Sequence, residues 1–111
     1  MSIAAGVGEQ IFAHKQYEHM RRAQGMEFQL RMLEHEGESI IRRVRMVTRE
    51  LESVQRRLLD EKNESRAERL REQGERLEIE MENLRQRAGQ IDRERVELGA
   101  AFEKESKAAG K

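Results

Sequence analysis

The sequence predicts an all-α protein, an antiparallel two-helix coiled-coil hairpin, and three observations carry that expectation. Helix-forming Glu, Arg, Leu, Gln, Met and Ala dominate the chain and no proline interrupts them. Apolar and small residues recur in two heptad seams. The seams are out of phase, which a turn between them explains. The alternative is one long, near-continuous helix that oligomerises and absorbs the phase shift as a skip in the repeat.

The first element in chain order is a lead-in. Residues 1–9 are small, apolar and punctuated by Gly6 and Gly8, which predicts a flexible N-terminal segment, too short to span a membrane and without the basic flank of an interfacial anchor. The helical hairpin is expected over 10–107. Its first arm, about 10 to 60, carries Met26, Leu30, Leu33, Gly37, Ile40, Val44, Val47, Leu51, Val54 and Leu58, alternating four and three residues apart. Disorder is the competing reading for a chain that is 40% charged, with mean hydropathy -0.96, but a seam of that length argues against it.

Continuing the first seam would land on Glu61, Ser65, Glu68 and Glu72, so the apolar stripe breaks inside 60–66. A turn near 61–66 is expected there. Asn63 tolerates a left-handed backbone, and Ser65 with Glu68 three residues on has the form of a capping box. The second arm, about 66 to 107, carries Ala67, Leu70, Gly74, Leu77, Met81, Leu84, Ala88, Ile91, Arg95, Leu98 and Phe102, with Arg95 the one charged member. A flexible tail, 108–111, follows.

Folding the arms together pairs seam residues whose numbers sum to 128, placing Val54 opposite Gly74, Val47 opposite Met81 and Gly37 opposite Ile91. Each seam glycine then faces a branched residue. A register one heptad away, summing to 121, also alternates correctly but puts the bend at Asp60 and Glu61, where the turn chemistry is poorer.

Function is bounded mostly by what such a rod lacks. One seam without a second layer encloses no small-molecule pocket. With no cysteine the chain has no disulfide, thiolate nucleophile or Cys-ligated zinc. His14 with Glu18 at i+4 is a poor metal pair, His35 lacks the second histidine of an HExxH motif, and Glu78, Glu80 and Glu82 diverge around the helix. The histidines, His19 included, read as solvated or interfacial. No enzyme, cofactor or metal site is expected. The sequence shows no run of about 18 apolar residues and no signal-peptide pattern, so a cytoplasmic protein without a membrane span is expected.

Binding residues are therefore sought on the outer surface. Three of the four aromatics, Phe12, Tyr17 and Phe28, lie near the open end of the hairpin, with Tyr17, Phe28 and Met32 off the seam. Tyr17, Met20, Phe28 and Met32 are the candidate partner-binding residues, covered by a partner protein, a second copy or a folded-back N-terminal segment. Arg42, Arg43, Arg45, Arg49, Arg56 and Arg57 crowd one stretch opposed only by Glu50 and Glu52. Of these, Arg42, Arg45, Arg49 and Arg56 form a candidate face for an anionic partner. Nucleic acid is disfavoured, because the stretch has no interleaved aromatics and 22 basic residues balance 22 acidic ones.

In shape, the paired seams over 26–102 resemble the small coiled-coil hairpins of flagellar and type III secretion export, the stalk proteins that sit within the export ATPase. That resemblance implies a structural or assembly role beside an ATPase and carries no site residue onto this chain. The leading expectation is a non-enzymatic structural or assembly adaptor that binds a partner protein or itself at its open end. An export-ATPase stalk and a nucleic-acid-binding hairpin are the alternatives.

Overall fold

A computed structural model describes residues 3–110, with side chains from residue 8 onward. Two helices, α1 (Ile3–Asp60) and α2 (Glu64–Ala109), run antiparallel and are joined at 61–63. This is the expected hairpin, and one near-continuous helix does not describe it: the chain leaves helical geometry at 61–63 and ion pairs join residues as far apart as His19 and Glu105.

The boundaries differ from expectation in physically explicable ways. Residues 3–9, expected to precede the first helix, belong to α1, since Ala4 and Ala5 are strong helix formers and no proline stops propagation. α2 opens at Glu64, two residues early, because Asn63 and not Ser65 is the cap. The Asn63 Oδ1 accepts from the Arg66 backbone N–H at 3.1 Å, and the Asn63 carbonyl accepts from the Ala67 N–H at 2.9 Å. Glu61 Oε1 in turn accepts from the Asn63 N–H at 3.0 Å, which ties the turn to its own side chain. No left-handed residue is needed: among the described residues none has positive φ. At the other end Ala108 and Ala109 extend α2, and the Gly110 N–H donates to the Ser106 carbonyl at 3.0 Å. The outermost positions of the two expected flexible segments, 1–2 and 111, lie outside the described residues.

The chain divides into two compact units, one of His35–Ile91 and one of Met1–Glu34 with Asp92–Lys111. In the first, Val47, Val54, Leu77 and Met81 form the core, with Val44, Leu51, Leu70 and Leu84 packed against it. Val47 is fully excluded from solvent and Ile91 is 2% exposed. Gly74 faces Val54 as the register of 128 requires, its hydrogen-side position 3.6 Å from Val54 Cγ1. Gly37 departs from the pairing, because a Cβ there would meet no atom within 4 Å.

Ion pairs flanking the seam fix this register. Labelling the seam positions a and d, Glu36 and Arg43 occupy successive g positions of α1, and Glu80 and Arg87 successive g positions of α2. Arg87 grips Glu36 with two hydrogen bonds of 2.6 and 2.8 Å, and Arg43 Nε donates to Glu80 at 2.5 Å. The signs alternate along each helix. Sliding α2 one heptad one way would set Arg43 against Arg87; sliding it the other way, to the register of 121, would set Glu36 against Glu80. Either slip keeps an apolar seam but opposes like charges.

The second unit is held by a thinner seam. Its one buried residue among those described is Ala23, with Met26, Leu30, Leu33, Leu98 and Phe102 half-buried. Polar seam positions there include His19, Glu105 and Arg95, whose side chain is 47% exposed and lies 3.7 Å from Glu34.

Two outcomes follow from this packing. Gly37→Ala should raise the melting temperature, gaining about 1 kcal/mol of helix propensity without a clash, whereas Gly74→Leu should lower it, since carbons beyond Cβ enter the space of Val54 at a cost of about 1 to 3 kcal/mol. Thermal denaturation of both variants checks this, and a stabilised Gly74→Leu would overturn the register. Amide exchange should be slower over 40–58 and 67–91 than over 8–34 and 92–109, reflecting the unequal burial; uniform protection would show that the polar seam positions do not weaken the second unit.

Candidate functional site

Helix geometry sorts the four expected partner-binding residues into two pairs. Tyr17 and Met20 lie one turn apart, and Phe28 and Met32 lie one turn apart further along α1, all outside the seam. They are 52%, 44%, 63% and 54% exposed, respectively, which leaves much of each side chain in solvent. Arg21 lies 6.0 Å from the Tyr17 ring centre, at the outer reach of a cation–π contact. Ile11 and Phe12 are also exposed on the same helix. Residues 3–12 continue α1 as helix and do not fold back over these side chains, so the covering segment considered from sequence is not what shields them.

Close to this patch is a polar cluster that sequence reasoning did not assemble. His19 Nδ1 donates to Glu105 Oε2 at 2.5 Å, and the other oxygen of Glu105 lies 3.7 Å from Arg22, which also lies 3.6 Å from Glu18. His14 approaches Glu18 at 3.0 Å, the i+4 pair visible in the sequence. Extending the four-three alternation back from Met26 gives Ala23, His19 and Gln16, and extending it forward from Phe102 gives Glu105. The signal was therefore present, but a seam is ordinarily followed only while it stays apolar. Among the described residues no three His, Asp or Glu side chains are grouped to hold a metal ion.

Arg42, Arg49 and Arg56 line one outward stripe of α1, with Arg45 beside them, and all four are exposed. None makes an ion pair among the described residues, whereas Arg43, close to them in sequence, is engaged by Glu80. Glu52, one turn from Arg49 and two from Arg45, forms no ion pair with either among the described residues. The Arg face is thus a row of exposed charges that no ion pair engages among the described residues. Compared with protein-family models, with curated proteins and with solved structures, the chain shows no significant match.

Three carboxylates that bridge the two helices, Glu36, Glu80 and Glu105, titrate below their ordinary value of 4.5. The hydrogen bond from Arg87 lowers Glu36, that from Arg43 lowers Glu80, and that from His19 lowers Glu105, each against a smaller opposing effect of desolvation. A carboxyl held low in the folded state stabilises fully above its unfolded value, and that stabilisation is lost as pH falls through it toward the folded value. The melting temperature should therefore drop on acidification below about pH 5. In the double variant Glu36→Gln, Glu80→Gln it should be lower at pH 7 and less sensitive to acid. An unchanged acid slope in that variant, followed by circular dichroism, would assign the pH dependence to other groups.

Proposed function

We propose that this chain is a non-enzymatic coiled-coil adaptor that presents a helical hairpin and binds a partner protein, or a second copy of itself, through Tyr17, Met20, Phe28 and Met32. The observation that carries this reading is the exposure of four large apolar or aromatic side chains in two helical pairs on one arm, with no segment of the described chain covering them. Tyr and Phe bring large contact area at low conformational cost, and Met adapts its shape to the surface it meets. A bundle of this kind acts by holding such side chains at fixed spacing, a role that needs neither cofactor nor reacting group. The cytoplasm and a place in an assembly, including the stalk of an export ATPase, fit the same reading.

The test is residue-specific. A photoreactive amino acid at Met20 or Met32 should give one discrete adduct in cells of the native host, whereas the same probe at Leu59 or Val96, which are 86% and 74% exposed, should give none. Tyr17→Ser with Phe28→Ser should abolish the adduct and leave helicity and melting temperature unchanged, because exposed side chains contribute little to stability. Adducts of equal yield at all four positions would show non-specific contact, and unfolding of the double variant would assign the aromatics to the fold.

A further inference from the structure

The unit His35–Ile91 carries two rows of opposite charge on its outward surface. Arg42, Arg49 and Arg56 recur every seven residues at the f position of α1. Glu68, Glu75 and Glu82 recur every seven residues at the b position of α2. All six are exposed. The three arginines, Glu75 and Glu82 have no ion-pair partner among the described residues, while Glu68 is bonded to Arg71 at 3.2 Å within its own helix. Each row is a line of like charges at a repeat of about 10 Å. Apart from Glu68 no member of either row is neutralised by an ion pair among the described residues, and each row matches the other in spacing with the opposite sign.

We propose that hairpins associate side by side with further copies of the same chain, the Arg row on α1 of one copy seating on the Glu row on α2 of the next. When neighbouring copies lie level with each other, Arg42 meets Glu82, Arg49 meets Glu75 and Arg56 meets Glu68, in pairs whose numbers all sum to 124. The intramolecular pairs Arg43 with Glu80 and Glu36 with Arg87 sum to 123, so arginine already spans this axial offset between antiparallel helices.

One apolar side chain beside each row supports the same alignment. Met46 sits four residues after Arg42 and three before Arg49, and Ile79 sits four after Glu75 and three before Glu82. They are 50% and 62% exposed, and the alignment that pairs the charges brings the two together. The rows lie on different helices, so the contact is heterologous and each added copy leaves one row of each sign free. The product is a row or ring of hairpins and not a closed dimer. This surface is separate from the open-end patch, and either can fail without the other.

Sedimentation velocity on the full chain tests the proposal. At 50 mM salt the protein should form concentration-dependent oligomers, and at 500 mM salt the association should weaken at least tenfold, as the screening length shrinks toward a few ångströms. Arg42→Glu, Arg49→Glu, Arg56→Glu should be monomeric, and so should Glu68→Arg, Glu75→Arg, Glu82→Arg. An equimolar mixture of these two variants should associate again, because one is acidic on both faces and the other basic on both. Ile79→Ser, which leaves every charge in place, should weaken association about tenfold with unchanged helicity. A wild-type monomer at low salt, a reversed variant that assembles alone as the wild type does, or a mixture that stays monomeric while both components are helical would overturn the proposal. It would equally be overturned if a wild-type monomer bound duplex oligonucleotide through the Arg row, as judged by loss of binding in the Arg→Glu variant.

Discussion

A two-helix hairpin has one shared seam, and each side chain along it is covered only by the facing helix and its own neighbours. Burial is therefore unequal and strongly dependent on which residue lies opposite. Where β-branched and long aliphatic residues meet, as with Val47, Val54, Leu77 and Met81, water is excluded and the seam resembles a small protein interior. Apolar contact is permissive about register, however, because any shift by a heptad again sets a against d. The alternating signs of Glu36, Arg43, Glu80 and Arg87 remove that freedom. Exposed ion pairs add little to stability, but a slipped pairing opposes like charges, so they select one alignment among several of similar apolar content.

Much of this was legible in the amino-acid order. The four-three alternation over 26–58 and 67–102, the phase break between them and the register near the turn all follow from side-chain periodicity, which the backbone of a helix obeys strictly. What periodicity does not determine is which of several competent side chains captures a backbone N–H. Asn63 and Ser65 are both good caps, and the earlier one prevails because it caps two further residues into helix while Glu61 holds its own N–H. The space beside Gly37 was illegible for a related reason: a facing residue can lean along the seam, and its rotamer is set by neighbours outside the pair. The pairing of His19 with Glu105 was concealed by their polarity, although both continue the heptads.

Polar seam positions also account for where the candidate binding residues are found. His19, Arg95 and Glu105 all fall in the unit of the chain ends, where each removes an apolar contact from a seam that has no second layer to compensate. The same unit carries Tyr17, Met20, Phe28 and Met32 on its outside. A sequence under pressure only to stabilise this hairpin would invert that distribution, with apolar residues in the seam and polar ones outside. The inversion is a local conflict between folding and surface chemistry, and such conflicts gather where a surface has another task.

Net charge conceals a comparable separation. Equal numbers of acidic and basic residues suggest a surface without a field, and at distances beyond the screening length that is correct. Contact, however, is decided within a few ångströms, and there the outward stripe of α1 over 42–56 is basic while that of α2 over 68–82 is acidic. The heptad repeat makes this separation possible, because a residue type confined to one position of the repeat becomes a line along one face. Charges scattered without that repeat pair along the helix, as Arg31 does with Glu27 and Lys107 with Glu103. Apart from Glu68, the charges of the two rows form no ion pair among the described residues, which leaves them directed outward as a set.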